Sequence, residues 1–200
     1  MIQRKAFVGG VVAAGIWLTS TAVFAQNFYA GASLGQAKMK DACEGVTISC
    51  DNKDTAWRLF AGYQINRNFA AELGYADFGK SKASGTVSGA SVDATAEANA
   101  WDLVGLGIWP IGNQFSIYGK LGAYHGKVKG SGTVSFGGAT GTGNTSGSNN
   151  DVTYGVGAGF DFNRNLGLRA EYQKYKDVGD DNSGKSDIDV ISIGVLYRFQ

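Results

Sequence analysis

The sequence of 200 residues contains little proline, cysteine or histidine: one proline, two cysteines and one histidine. With so few His and Cys ligands we expect no metal site and no cofactor. Beyond the N-terminal region, no segment approaches 18 consecutive apolar residues, so no transmembrane helix is predicted. Lys and Arg (18) nearly balance Asp and Glu (17), and nothing in that balance suggests nucleic-acid binding.

Glycine, in contrast, is abundant, with 31 residues, and aromatic residues make up 12% of the chain. This composition is not typical of a soluble α/β enzyme. Glycines allow the strands of a small barrel to bend and leave room for large side chains inside it.

The N-terminus has the features of a secretory signal peptide. Arg4 and Lys5 precede an apolar stretch, and small residues follow it. A membrane anchor is the alternative, but this stretch of about 13 residues is shorter than the ~20 that spanning requires. We predict cleavage between Ala25 and Gln26, which divides the sequence into a signal peptide (residues 1–25) and one mature domain (residues 26–200).

The two cysteines, Cys43 and Cys50, enclose a short loop in an exported chain. Because the periplasm is oxidising, we predict a disulfide between them.

Alternation of apolar and polar residues predicts eight strands in the mature chain. They are Phe28–Lys38, Thr55–Ile65, Phe69–Gly79, Ala96–Trp109, Phe115–Lys127, Asp151–Phe162, Leu166–Tyr175 and Ile188–Phe199. Each is close to the 9–11 residues with which a tilted strand crosses a bilayer.

The predicted connections alternate between short and long. Three are tight polar turns, at 66–68, 110–114 and 163–165, and four are long polar loops, at 39–54, 80–95, 128–150 and 176–187. Outer-membrane barrels place short turns in the periplasm and long loops outside the cell, so we expect both termini to be periplasmic. The loop 128–150 is interpreted as flexible and solvated, with an adhesive tip as the alternative.

One face of the predicted strands is apolar, and the charged residues fall on the other. The latter are Arg58, Glu72, Asp102, Lys120, Asp161, Arg169, Glu171 and Arg198, four of each sign. A soluble barrel such as a lipocalin would have its apolar face inside. Since a charge facing lipid near mid-membrane costs about 2–4 kcal/mol, we predict that these residues form a salt-bridge network inside the barrel. Gating of ion conductance by these charges is the alternative role.

The last strand carries Ser192, Gly194, Tyr197 and Phe199. This spacing resembles the C-terminal signature by which the barrel assembly machinery recognises bacterial outer-membrane β-barrels.

The whole mature chain resembles the small outer-membrane β-barrel family that includes the transmembrane domain of outer membrane protein A and the opacity-type surface proteins. The resemblance depends on four segments: Phe28–Ala32, Glu72–Phe78, Lys120–Tyr124 and the final strand. It implies an all-β, eight-stranded, antiparallel up-and-down transmembrane barrel. Since the sequence ends after the eighth strand, we expect the family's peptidoglycan-binding domain to be absent.

An eight-stranded barrel is only wide enough for its side chains to fill, so we expect no wide channel. We predict a structural role in the envelope, a surface-interaction role through the four loops, or both; a narrow ion-leak pore is the alternative. An enzyme acting on lipid A is disfavoured. The pattern of such deacylases is a His followed two residues later by Ser, whereas Lys127 stands two residues after His125. We expect a monomer. Its expected partners are outer-membrane lipid, lipopolysaccharide, the assembly machinery, and host-cell or matrix molecules.

Overall fold

The described part of the chain is built from antiparallel strands. A computed structural model describes residues 27–40, 49–51, 53–87, 89–180 and 184–199. Nine strands lie in these ranges: β1 Phe28–Met39, β2 Ser49–Asp51, β3 Lys53–Gln64, β4 Phe69–Val87, β5 Ala90–Ile111, β6 Phe115–Phe136, β7 Ala139–Asp161, β8 Leu166–Asp180 and β9 Gly184–Arg198. Over the same ranges, no helix has the length and apolar character needed to cross a membrane.

Eight of these strands form a closed ring. Consecutive long strands pair antiparallel from β3 to β9, and β1 pairs with both β3 and β9, which closes the barrel. The remaining strand, β2, is only three residues long. It pairs with residues 82–84 of β4, beyond Asp77, where the pairing of β4 with β3 ends. The predicted eight-stranded up-and-down topology is confirmed.

The two faces of the barrel are the reverse of those of a soluble protein. Leu34, Trp109 and Ile191 are 66%, 71% and 67% exposed on the outside, whereas Glu72 and Asp102 are each only 1% exposed in the interior. Such an apolar surface is stable in lipid but costly in water. The prediction that the apolar face points outward is confirmed, and a lipocalin-like arrangement is excluded.

The segments predicted as long loops at 80–95 and 128–150 are mostly strand, so that prediction was wrong. The β4–β5 hairpin stays paired up to Val87↔Ala90, and the β6–β7 hairpin up to Phe136↔Ala139. The turn between β6 and β7 is formed by Gly137 and Gly138, both with positive φ. The alternation of small apolar and polar residues continues through these segments, and adjacent strands satisfy their backbone hydrogen bonds. We call this extension, the outer halves of β4 to β7, the projecting sheet.

The loop predicted at 176–187 is also shorter, because β8 continues to Asp180 and β9 starts at Gly184. Within the loop predicted at 39–54, residues 41–48 and 52 lie outside the described residues.

Two of the short turns have the same structure. Asn66 Oδ1 accepts hydrogen bonds from the backbone N–H groups of Asn68 and Phe69, at 2.8 and 2.9 Å. Asn163 Oδ1 does the same for Asn165 and Leu166, at 2.9 and 2.8 Å. The two segments are also similar in sequence, GYQINRNF at 62–69 and GFDFNRNL at 159–166. In each, an asparagine side chain fixes the turn.

The interior is arranged in three layers along the barrel axis. The layer near the short turns is apolar and aromatic, and includes Tyr29, Phe60, Val104, Leu106, Tyr118 and Leu196. The layer near the projecting sheet is also apolar, and includes Met39, Phe78, Tyr124, Tyr175, Val178 and Ile188. Between them lie the buried charges.

Candidate functional site: a closed lumen and a lysine patch

Glu72 on β4 is the centre of a buried ion cluster, and cations from three other strands reach it. Arg58 Nη1 and Lys120 Nζ lie 3.3 and 3.8 Å from Glu72 Oε2. Arg169 pairs with the other oxygen, Oε1, which also accepts a hydrogen bond of 2.9 Å from the Tyr29 hydroxyl. One carboxylate therefore joins β1, β3, β6 and β8 across the lumen.

Asp102 on β5 holds the other side of the Arg58 guanidinium. Arg58 donates through Nε at 2.9 Å and through Nη2 at 2.6 Å, a bidentate geometry that favours strong pairing. The Tyr175 hydroxyl donates to the same carboxylate at 2.9 Å. Gly74 makes this position possible, because a Cβ there would lie 2.5 Å from Arg58 Nε.

Glu171 on β8 completes the charge balance. Lys120 Nζ lies 2.7 Å from Glu171 Oε1, and the Tyr118 hydroxyl donates to Oε2 at 2.9 Å. The resulting set has three cations and three carboxylates. We call it the luminal ion cluster: Arg58, Glu72, Asp102, Lys120, Arg169 and Glu171.

These charges are stable in the interior because their hydrogen-bonding groups are satisfied. Within the described residues, no buried side-chain nitrogen or oxygen lacks a partner. The Arg169 guanidinium also lies 5.3, 5.1 and 5.2 Å from the ring centres of Tyr29, Phe60 and Tyr118. Complete pairing of this kind offsets the cost of removing each ion from water.

The cluster closes the lumen. At its level the described residues leave a void of only about 10 Å³, next to Arg58, Phe78 and Tyr175. Larger cavities lie at the two ends: about 800 Å³ near the short turns and about 600 Å³ between the bases of the outer strands. A void of 10 Å³ holds one water at most. The two larger cavities have no lining residue in common, and the buried ion cluster lies between them.

The other two charges predicted for the interior pair with each other. Arg198 Nη1 lies 2.7 Å from Asp161 Oδ1 near the short-turn end, where both side chains are about one-third exposed. Alternation predicts Tyr118, Tyr124 and Gln173 on the charged face but not their partners; Gln173 donates to Thr153 at 2.9 Å. Tyr29 and Tyr175 were not assigned to a face, although the same alternation buries them.

The residues of the predicted assembly signal divide between the two faces of β9. Ser192 and Gly194 are buried, whereas Tyr197 and Phe199 are exposed and pack together with ring centres 5.3 Å apart. Gly194 allows close approach of β1, because a Cβ there would lie 2.8 Å from the Ala32 carbonyl oxygen. Recognition by the assembly machinery stays a prediction.

Other predicted site residues lie outside the described part of the chain. They are Ala25 and Gln26, at the predicted cleavage site, and Cys43. The backbone of Cys50 lies in β2, and the disulfide stays a prediction.

His125 lies on the outer surface, where its Nδ1 is 2.8 Å from Asn150 Oδ1. Within the described ranges, no group of three or more His, Cys, Asp or Glu side chains is arranged to hold a metal ion.

The outward face of the projecting sheet carries lysines on two of its strands. Lys80 and Lys82 lie on β4, and Lys127 and Lys129 on β6, all of them exposed. We call these four residues the lysine patch. Glu97 on β5 pairs in register with both Lys80 and Lys129, and its carboxylate lies 2.6 Å from Lys80 Nζ. That hydrogen bond lowers the pKa of Glu97 and raises the pKa of Lys80.

Below the patch, the same face of the barrel becomes apolar and aromatic. Tyr75 packs between Trp57 and Trp101, with ring centres 5.6 and 5.0 Å away. Aromatic residues at this position are typical of a membrane–water interface. A closed barrel with an apolar outer belt, aromatic edges and paired charges inside defines a bacterial outer-membrane β-barrel protein.

Comparison with known sequences identifies the family. The sequence model of the OmpA-like transmembrane domain matches residues 24–200, and the chain belongs to this family. It is 26% identical to outer membrane protein A of Yersinia pseudotuberculosis, in a match that covers 86% of this chain and 48% of that protein. It is 29% identical to outer membrane protein P5 of Haemophilus influenzae, covering 94% and 59% of the two chains. The chain thus spans about half the length of such relatives.

Solved structures show the same fold. Ail of Yersinia pestis, in complex with the heparin analogue sucrose octasulfate, superposes with a TM-score of 0.52 at 19% identity, covering 86% of this chain and 99% of that one. OprG of Pseudomonas aeruginosa gives a TM-score of 0.52 at 15% identity, with coverage of 88% and 97%.

Proposed function

We propose that the barrel anchors the chain in the outer membrane and presents the projecting sheet outside the cell, where the lysine patch binds polyanions. In this orientation the short turns and both ends of the barrel face the periplasm. The observation that carries the proposal is the concentration of four exposed lysines on one face of a sheet that extends beyond the apolar belt.

The charges on this face favour an anionic partner. Carboxylates offset the β4 side of the patch, where Glu97 is in register between Lys80 and Lys129 and where Asp54 and Asp77 also interact with Lys80. On β6, Lys127 pairs in register with the uncharged Asn99 and Ser148, so its positive charge is not offset by a cross-strand neighbour. Phosphate and sulfate groups repeated along a polymer can contact several lysines at once, which makes weak individual contacts additive. Lipopolysaccharide and sulfated host polysaccharides both have this chemistry, and the solved complex of Ail contains a sulfated heparin analogue.

Binding of heparin by the protein in lipid vesicles tests the proposal. We expect a variant with Lys82, Lys127 and Lys129 changed to Gln to lose most of its binding, because three of the four cations are removed. We also expect binding by the unchanged protein to weaken as salt is raised. The control is Lys38→Gln together with Lys40→Gln, at the end of β1 and directly after it, outside the patch.

Two truncations of the β6–β7 hairpin separate the contribution of its tip from that of the lysines. Joining Gly130 to Thr145 by a two-residue turn removes the tip of the β6–β7 hairpin at paired positions and keeps Lys129. We expect this variant to bind heparin, whereas a cut that joins Gly126 to Asn149 should not. Equal binding by all variants, each shown to be folded by its heat-dependent gel mobility, would exclude the patch as the site.

An ion-leak pore is the second candidate, but the closed lumen does not favour it. The proposal also includes the absence of enzymatic activity. His125 contacts Asn150 on the outer surface, and an amide gives the imidazole no hydroxyl or thiol to activate. A monomer inserted by the barrel assembly machinery completes the proposal, supported by the outward aromatic pair Tyr197 and Phe199.

A further inference from the structure

The inward face of the projecting sheet differs from its lysine-bearing face. Across β5 and β6, Ala94 pairs with Gly132 and Ala96 with Gly130, while the charged Asp93 and Glu97 alternate to the other side. Together with β1, β8 and β9, this face encloses the cavity of about 600 Å³. We call this cavity the outer cup; Met39, Ala83, Ala96, Val128, Val178 and Ile188, from six different strands, are among its lining residues.

The chemistry of the cup is apolar. Its described lining contains no carboxylate and a single cation, Lys185, which is exposed. The other polar lining residues are Ser81, Thr95, Ser131, Asn144, Thr145 and Ser186, and of these Ser81, Thr145 and Ser186 lie on the inward side of their strands. Binding a charged ligand in this lining would be costly, because the charge would lose its water without gaining paired opposite charges. Binding an apolar ligand is favourable, because it removes the apolar surfaces of both the ligand and the lining from water.

The cup is closed at its base. Tyr175 packs edge-on against both Phe78 and Tyr124, with ring centres 4.7 and 5.4 Å away. All three side chains are buried, and the luminal ion cluster lies directly beneath them. The cup is therefore a preformed pocket and not the entrance to a channel.

We propose that the outer cup binds one small uncharged apolar molecule, of the hydrocarbon class. Its volume lies within the ~300–1,000 Å³ of small-molecule sites, which also occur in the mouths of β-barrels. Walls from seven strands leave no room for a folded domain. The site is independent of the proposed polyanion site, which uses the opposite face of the sheet.

Methyl NMR of the protein in lipid nanodiscs, titrated with naphthalene, tests this proposal. We expect saturable shifts of the methyl signals of Ala96, Val128 and Ile188, because ring currents act on groups that line the site. The methyls of Val156 and Ile193 face lipid. They should respond only in proportion to the naphthalene dissolved in the bilayer.

Two substitutions at neighbouring residues provide the control. In Gly132→Leu the new side chain enters the cup, where a Cβ meets nothing nearer than the Asp93 carbonyl oxygen at 3.9 Å. In Thr133→Leu it points to the opposite face. We expect the first to weaken naphthalene binding by about tenfold or more, and the second to leave it unchanged.

Three outcomes would overturn the proposal: no saturable shift in the unchanged protein, equal saturation in both variants, or nuclear Overhauser contacts showing that residues 41–48 of the same chain fill the cup. The Lys82, Lys127 and Lys129 variant should bind naphthalene normally, so failure of the cup and failure of the polyanion site can be distinguished.

Discussion

At the scale of single residues, Glu72 makes three ion pairs in the luminal ion cluster, with Arg58, Lys120 and Arg169. Glu72→Gln leaves three buried cations with two carboxylates. We expect the free energy of unfolding to fall by about 3–5 kcal/mol, since an uncompensated buried charge is costly. Urea unfolding in lipid vesicles, followed by tryptophan fluorescence, measures the change.

Two further variants show whether charge balance is the cause. Asp161→Asn breaks the partly exposed pair with Arg198, and should cost about 1 kcal/mol or less. Adding Lys120→Met to Glu72→Gln removes one cation, and we expect this double variant to recover part of the lost stability. Equal losses for Glu72→Gln and Asp161→Asn would contradict this account of the cluster.

At the scale of elements, the start of the projecting sheet depends on a bulge in β4. The register with β5 shifts between Asp77 and Lys80, and Gly79 has a φ of 72°. Asp54 Oδ2 accepts the Lys80 backbone N–H at 2.7 Å, and its Oδ1 accepts the Thr55 N–H at 2.7 Å. One carboxylate thus connects the start of β3 to the point where β4 leaves the barrel.

These hydrogen bonds make the bulge sensitive to pH. The backbone N–H groups of Lys80 and Thr55 lower the pKa of Asp54 below its ordinary value. The stabilisation is therefore present above the ordinary carboxyl pKa of about 3.9 and is lost as pH falls through the lower pKa of the folded state. We expect protection of the Lys80 amide from hydrogen exchange to decrease in that acid range.

Asp54→Ala should produce the same loss at neutral pH, by about tenfold in the protection factor, because a hydrogen bond to a charged acceptor is removed. Asp93→Ala, on the opposite strand of the same hairpin, is the control. Unchanged protection of Lys80 in Asp54→Ala would show that the bulge does not depend on this carboxylate.

At the scale of the whole molecule, the sequence was sufficient to predict the ring of eight strands and the faces of each. Both follow from a period of two that every strand repeats, with Arg58 or Glu72 on one side and Leu59 or Leu73 on the other. The pairing inside the lumen could not be predicted, because it depends on register and on side-chain length. Arg169 and Glu72 are 97 residues apart in the chain.

The strands of the projecting sheet were not predicted, for a different reason. Residues 128–150 have the Gly, Ser, Thr and Asn content of a loop, and composition hid the continued alternation. What keeps them extended is lateral pairing: in the projecting sheet, β5 and β6 each have a partner strand on both sides. The cup and the lysine patch are opposite faces of that sheet, so neither could be predicted while the segment was interpreted as a loop.

Closure of the lumen also belongs to the whole molecule, because it combines side chains from six strands. In planar bilayers with KCl on both sides, we expect the unchanged protein to give no stable single-channel steps. A triple variant opens this closure: Arg58→Ala, Asp102→Ala and Tyr175→Ala. It removes one cation, one carboxylate and the aromatic ring above them, so the net charge of the lumen is unchanged. We expect small, regular steps from this variant, provided that heat-dependent gel mobility shows a folded barrel. The void of about 10 Å³ leaves no room for a hydrated ion. Stable steps from the unchanged protein would therefore contradict a closed lumen and favour the ion-leak pore.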